Sequence, residues 1–169
     1  RVELYSSDAQ TMFAHIKVSL AGYVAEKLKF SVTTDGVSAD FANAMNIAHG
    51  MVWRLGMGGN GFVGDFTRIP KEQLSDKLKD KLNEETQQLL HRALTEVEGT
   101  LRDESKILDR FASELLAHDE LDYDEIVKIF LEYGKPPKTI PGEPPAEAAQ
   151  ISAEGAAGKA PPPDLPLPG

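Results

Sequence analysis

The chain has 169 residues, with 27 acidic and 18 basic side chains, 11 prolines and no cysteine. The lack of cysteine excludes disulfide scaffolds, thiolate metal sites and cysteine nucleophiles, and a net charge of −9 argues against binding to nucleic-acid phosphates. The longest uncharged runs are interrupted by polar residues and glycine, so the sequence predicts no transmembrane segment, and it shows no signal peptide.

The first segment, from Asp8 to Phe30, is predicted to form a helix. Its apolar residues recur every three to four positions without an intervening proline: Met12, Ile16, Tyr23, Val24 and Leu28. Ala21, Gly22 and Ala25 add a small-residue patch at which another backbone could approach closely. Because glycine weakens a helix interior, its presence here favours a packing role.

Turn-forming residues then separate this segment from a second predicted helix, which runs from Ser38 to about Leu55. Its apolar residues form a stripe with the 3.6-residue period of a helix: Phe41, Ala44, Met45, Ala48, Met51, Val52 and Leu55. Ser38 is the expected N-cap, and Asp40 falls in the first turn. On residue chemistry alone, an aspartate at this position favours the positive end of the helix dipole rather than a functional role.

A glycine-rich loop follows, in which Gly56, Gly58 and Gly61 match the spacing of a dinucleotide-binding fingerprint. That motif requires a preceding strand and a helix that receives the pyrophosphate, whereas this loop follows a predicted helix. It also lacks the Gly-Lys-Ser/Thr ending of a phosphate-binding loop. The pattern therefore predicts a flexible connector.

The next part of the chain, residues 71–134, carries 17 acidic and nine basic side chains, whereas residues 1–70 are neutral overall. Leucines from Leu82 to Leu116 predict long amphipathic helical structure with a solvated acidic face. Asp122-x-x-Glu125 is typical of a capping box that begins a last short helix, and Gly134 is a suitable stop. No segment reads as a strand, so the predicted fold class is all-α.

The last 35 residues contain ten of the 11 prolines, together with seven alanines and four glycines. Such a composition cannot bury enough apolar surface to offset the entropy of ordering it. We therefore predict one domain over residues 1–134 and a disordered tail over residues 135–169. Two minimal PxxP patterns, at residues 141–144 and 163–166, are expected by chance in this composition.

The four histidines do not have the spacing of a catalytic zinc helix. None belongs to a His-Glu-x-x-His motif, in which two histidines hold the metal and the glutamate serves as the general base. They are His15, His49, His91 and His118. His91 and His118 are predicted to lie at the surface and His49 to be structural, and spacing alone assigns no role to any of them.

An ordered series of motifs runs from Gly22 to Met57. It consists of Gly22-x-x-Ala25-Glu26, then Thr33-Thr34 and Gly36, an aspartate four residues after that glycine, and Gly56-Met57. With the acidic helices that follow, this series resembles the peptidase domain of FtsH-type ATP-dependent zinc metalloproteases over about residues 9–131. The chain departs from the family pattern by inserting Asp35 before Gly36 and by placing Gly58-Gly59 where serine often follows.

The resemblance implies that Asp40 is the third zinc ligand, joined by two histidines of an upstream His-Glu-x-x-His helix. It also implies an ATP-hydrolysing domain, a homo-hexamer, unfolded or membrane-protein substrates, and a membrane anchor near the parent's N-terminus, with the peptidase in the cytoplasm or an organelle interior. The chain begins with Arg1 and contains neither the zinc-binding helix nor an ATPase domain. We therefore expect the C-terminal part of such a peptidase domain, inactive by itself.

Two alternatives belong to other functional classes. One is a non-catalytic FtsH-like scaffold, whose upstream sequence would lack the His-Glu-x-x-His helix. The other is an unrelated helical interaction module that uses its long acidic helix as a docking face and needs no zinc.

Overall fold

The computed structural model describes residues 7–135. These residues form five helices, which are α1 (Ala9–Phe30), α2 (Ser38–His49), α3 (Asp76–Asp103), α4 (Ser105–His118) and α5 (Tyr123–Glu132). No strand occurs between residues 7 and 135, and the all-α prediction is confirmed. Apart from Lys135, the predicted tail with its two PxxP patterns lies outside the described residues.

Helix α1 has the extent that the sequence predicts. The Asp8 side chain caps it by accepting a 2.7 Å hydrogen bond from the Thr11 N–H. The helix ends at Ser31, a left-handed residue (φ 57°) whose N–H donates to the Lys27 carbonyl. Phe13, Ile16, Leu20 and Val24 are buried on one face.

Helix α2 differs from its prediction at both ends. Ser38 is not an N-cap: a 3₁₀ turn over Asp35–Val37 precedes the helix, and the Ser38 N–H already donates to the Asp35 carbonyl. At the other end, Gly50–Arg54 form a wider π-helical turn, so regular α-helix stops at His49 rather than Leu55. The wider turn accommodates three consecutive buried residues (51–53), which a regular helix would spread over more than half of its circumference.

The long acidic segment is divided into α3 and α4. Helix α3 begins after Ser75, whose Oγ accepts a 3.3 Å hydrogen bond from the Leu78 N–H. At Glu104 the backbone leaves the helical region (φ −99°, ψ 19°), and α4 begins at the next residue. The predicted stripe therefore continues across a break that its leucine spacing does not reveal.

Helices α1 to α4 belong to one compact unit, which ends at Leu121. Its larger buried cluster joins α1, α2 and α3 through Phe13, Ile16, Leu20, Ala44, Ala48, Met51 and Ala93. A second cluster contains Val52 and Trp53 of the π-helical turn with Leu74 and Leu82. The two clusters meet along the end of α2, which ties the π-helical turn to α3.

Helix α5 lies in a second unit that begins at Asp122. The predicted capping box is present: Asp122 accepts from the Glu125 N–H, and Glu125 accepts from the Asp122 N–H, both at 2.9 Å. The predicted stop at Gly134 is also present, with a left-handed φ of 68° that glycine adopts readily. Between residues 7 and 135, no helix has both the length and the apolar character needed to span a bilayer.

Candidate metal site

Asp40 lies in the first turn of α2, where the sequence places it, and its side chain is exposed. Its carboxylate faces Gly22 of α1: a Cβ atom built on Gly22 would lie 3.8 Å from Asp40 Oδ2. At Gly22, the group that approaches α1 is thus a carboxylate side chain rather than a backbone. A larger residue at position 22 would extend into the space beside this carboxylate.

Two side-chain contacts hold the first turns of α2 against α1, and a hydrogen bond within α1 orients one of them. Asn43 Nδ2 donates a 2.8 Å hydrogen bond to Ser19 Oγ, and this hydroxyl donates to the His15 carbonyl at 3.1 Å. One turn further along α1, the rings of Tyr23 and Phe41 meet edge to face, with centroids 4.9 Å apart. These contacts fix the direction in which the start of α2 presents Asp40.

The turn that leads into α2 is tied back to α1 by a carboxylate. Glu26 Oε2 accepts a 3.3 Å hydrogen bond from the Thr34 N–H. Asp35, the residue that departs from the family pattern, opens the 3₁₀ turn that follows. The extra residue is accommodated in this turn, and Asp40 remains in the first turn of α2.

Asp40 borders an open cleft of about 640 Å³ between α1, the turn before α2 and α4. Two other carboxylates line it, and both have partners: Glu26 accepts from the Thr34 N–H, and Asp109 pairs with Lys29. Among the described residues, the Asp40 carboxylate has no hydrogen-bond or ion-pair partner. It is therefore the carboxylate of this cleft that is most available to a ligand.

One carboxylate is not a complete metal site. Catalytic zinc has three protein ligands and one open position. Within residues 7–135, no group of three or more histidine, aspartate or glutamate side chains could hold a metal ion. An exposed, unpaired carboxylate has the chemistry of a zinc ligand. The described residues can therefore supply one ligand, Asp40, to a metal site whose other ligands come from elsewhere.

None of the histidines joins Asp40 among the described residues that line its cleft. His15 and His91 are exposed, and His118 lies 3.4 Å from a carboxylate oxygen of Glu114, so His91 and His118 are at the surface as predicted. The His49 imidazole stacks on the Trp53 indole with centroids 4.9 Å apart. Burial and the nearby positive charge of Lys71 keep the pKa of His49 below its ordinary value.

The glycine-rich loop follows the π-helical turn and not a strand, which agrees with the rejection of a dinucleotide-binding fingerprint. However, the loop is anchored to α3. The Asn60 N–H donates to Glu85, which is 95% buried, and Gly58 packs directly against the same carboxyl group. The role of Glu85 was not predicted from the sequence, although its position between Leu82 and Leu89 puts a charged residue on the buried face of α3.

Comparison with known proteins places this arrangement in a family. The model of peptidase family M41 matches residues 2–129, which is most of the chain and includes the whole Asp40 cleft. The chain belongs to peptidase family M41. This membership confirms the resemblance to FtsH-type proteases that the motifs between Gly22 and Met57 indicate.

Curated relatives of this M41 chain carry consistent names. It is 32% identical over 130 residues to an ATP-dependent zinc metalloprotease YME1 homolog of Schistosoma mansoni, covering 76% of the chain and 20% of the relative. It is 30% identical over 164 residues to the ATP-dependent zinc metalloprotease FtsH of Burkholderia pseudomallei, and this match covers 89% of the chain and 24% of the relative. It is 33% identical over 117 residues to the ATP-dependent zinc metalloprotease YME1L1 of Mus musculus, and this match covers 68% of the chain and 16% of the relative. The chain thus spans about a fifth of the length of these relatives.

Proposed function

We propose that this chain is the C-terminal part of the peptidase domain of an FtsH-type ATP-dependent zinc metalloprotease, and that Asp40 is one of the zinc ligands. The observation that carries the proposal is the unpaired Asp40 carboxylate in its cleft, within a chain of peptidase family M41. The names of the relatives, all ATP-dependent zinc metalloproteases, support the choice of metal.

The chain's own residues would bind and orient the metal through one oxygen ligand. Gly22 leaves room for the carboxylate, and the Asn43–Ser19 hydrogen bond fixes the helix that carries it. The remaining protein ligands would be two histidines of a His-Glu-x-x-His helix supplied from outside this chain. Zinc bound by two imidazoles and a carboxylate keeps a position for water, which it acidifies for attack on a peptide carbonyl.

The properties of the whole protein are part of the same proposal. Its substrates would be unfolded or membrane proteins, delivered by an ATP-hydrolysing domain of the parent polypeptide. The parent would assemble as a homo-hexamer and be anchored in a membrane through a segment outside this chain. By itself the 169-residue chain is expected to show no proteolysis, because its described residues offer one of three zinc ligands.

The proposal is testable in a chimera with a relative. In the FtsH of Burkholderia pseudomallei, the matching C-terminal part is replaced by this chain, which aligns with it over 164 residues. Zinc content per subunit and ATP-dependent casein hydrolysis are then measured for the chimera and its Asp40→Asn form. We expect Asp40→Asn to lose at least about tenfold in activity, as ligand and ligand-orienting changes do, and to retain less zinc.

Asp35→Asn is the matched control. Asp35 is also an exposed aspartate, in the 3₁₀ turn just before α2, and it does not line the cleft. We expect this control to keep the zinc content and activity of the chimera. Equal zinc content and equal activity in Asp40→Asn and Asp35→Asn would refute the assignment of Asp40.

The non-catalytic scaffold is the competing proposal within the same family. The coding sequence upstream of Arg1 distinguishes the two, because a scaffold would lack the His-Glu-x-x-His helix. An active chimera would show that this chain can complete a peptidase, whereas an inactive chimera that still assembles and binds no zinc would favour the scaffold.

A further inference from the structure

A second cavity lies at the other end of α2, where the π-helical turn packs near the start of α3. It has a volume of about 400 Å³ and shares no described lining residue with the Asp40 cleft. Its apolar wall consists of Trp53, Phe66 and Leu74, and its polar groups include Lys71, Lys79 and Asn83. Nothing in the proposed peptidase chemistry uses these residues.

The charge of this cavity is opposite to that of the whole chain. The chain carries a net charge of −9, yet none of the described residues that line the cavity is acidic. Lys79 is paired with Asp76 at 2.7 Å, whereas Lys71 has no ion-pair partner among the described residues. The positive charge of Lys71 acts on His49, which also lines the cavity, and helps to lower its pKa. The site is thus complementary to an anion.

The cavity wall also contains an unsatisfied donor. Trp53 is 91% buried, and its Nε1–H is covered and has no acceptor among the described residues. Buried indole N–H groups normally have a hydrogen-bond partner. Trp53, whose ring lines the cavity, is therefore an exception to this rule.

We propose that this cavity binds an apolar carboxylate, namely the C-terminal residue of a peptide with a large apolar side chain. The carboxylate pairs with Lys71, and the apolar side chain packs against Trp53, Phe66 and Leu74. The volume lies near the lower end of the range for small-molecule sites and suits one residue rather than a folded segment. The apolar wall and the single unpaired lysine favour this ligand over inorganic phosphate, which has no apolar part to bury.

This inference goes beyond the proposed function and does not rest on it, because it involves neither Asp40 nor a metal. Trp53 is the only tryptophan of the chain, so its fluorescence and its indole N–H proton resonance report on this cavity alone. The 169-residue chain is titrated at constant ionic strength with N-acetyl-L-phenylalanine. The same titration is made with N-acetyl-L-phenylalaninamide, which has the same ring but no charge, and with inorganic phosphate, which has charge but no ring.

We expect a saturable change of the indole signals with the carboxylate, and binding of the amide and of phosphate at least about tenfold weaker, which is a difference that one lost charge contact can produce. Lys71→Ala is expected to weaken carboxylate binding by up to about fivefold, and Lys71→Arg to retain it. Lys77→Ala is the matched control, because Lys77 is an exposed lysine near the start of α3 that does not line the cavity.

Three outcomes would overturn the proposal. The first is the absence of a saturable change in both indole signals, and the second is equal binding of the carboxylate and the amide. The third is an equal loss in Lys71→Ala and Lys77→Ala. Because Lys71 and Lys77 are both exposed, neither variant is expected to unfold, and circular dichroism checks this directly.

Discussion

Replacing Gly58 by alanine tests the anchoring of the glycine-rich loop to α3. A Cβ atom on Gly58 would lie 3.0 Å from Glu85 Cδ and closer still to Oε2, which is nearer than side chains pack. The end of a glutamate can usually move away from such a contact. Glu85 is only 5% exposed, however, and it accepts the Asn60 N–H, so a movement large enough to relieve the contact breaks that hydrogen bond.

The magnitude follows from the contacts that change. A hydrogen bond to a charged group contributes about 1.5–3 kcal/mol to stability. Alanine recovers about 0.4–1 kcal/mol, because it restricts the unfolded chain more than glycine does. Gly58→Ala is therefore expected to lower the free energy of unfolding by about 1–2 kcal/mol, the difference between these two effects.

Urea unfolding followed by the fluorescence of Trp53 measures this change, and Gly59→Ala is the matched control. A Cβ atom on Gly59 meets nothing within 4 Å, so this variant should gain about 0.4–1 kcal/mol. In a Glu85→Ala background, Gly58→Ala should lose most of its effect, because the crowded carboxylate is gone. Ordinary surface substitutions change the free energy of unfolding by up to about 0.5 kcal/mol. If the free energies of unfolding of Gly58→Ala and Gly59→Ala differ by less than this amount, the anchoring of the loop by Glu85 is refuted.

The other predictions concern packing and pH. Asn43→Ala should lower the free energy of unfolding by about 1 kcal/mol in urea titrations, because Ser19 Oγ loses its donor; an unchanged value would contradict this. The lowered pKa of His49 means that its unfolded form takes up a proton more readily, so stability should fall from pH 7.5 to 5.5, and less so in His49→Gln. The Thr11 N–H lowers the pKa of Asp8 below its ordinary 3.8. The contribution of the Asp8 cap to the free energy of unfolding is therefore complete above pH 3.8 and is lost in more acidic solution. The stability difference between wild type and Asp8→Asn should therefore shrink on acidification from pH 6 to pH 3.

Local sequence signals predicted the elements that depend on local interactions. The capping box at Asp122 and the extent of α1 depend on side chains within a few residues of each helix end, so their spacing was informative. The position of Asp40 in the first turn of α2 was also predictable, because it depends on where the helix begins a few residues earlier. The N-cap assignment of Ser38 was wrong because the preceding residues form a 3₁₀ turn, which supplies a backbone acceptor in place of a side-chain cap.

The features that sequence reasoning missed depend on distant partners. The π-helical turn forms where residues 51–53 are all buried by neighbouring segments, and helical periodicity does not encode that burial. Glu85 anchors a loop 25 residues earlier in the chain, so its role is visible only when Asn60 and Gly58 are placed beside it. A connector that composition predicts to be flexible is therefore held at its centre.

The two ends of α2 are held in different ways, and this bears on how Asp40 variants should be interpreted. The far end is fixed by the burial of Trp53 and by the anchored loop beyond it, whereas the Asp40 carboxylate is exposed and has no polar partner among the described residues. Substitution of such a side chain changes the free energy of unfolding by no more than about 0.5 kcal/mol. The Asn43–Ser19 and Tyr23–Phe41 contacts, which orient the helix, do not involve Asp40. A loss of zinc and activity in a folded Asp40→Asn protein would therefore report on the missing ligand and not on a displaced helix.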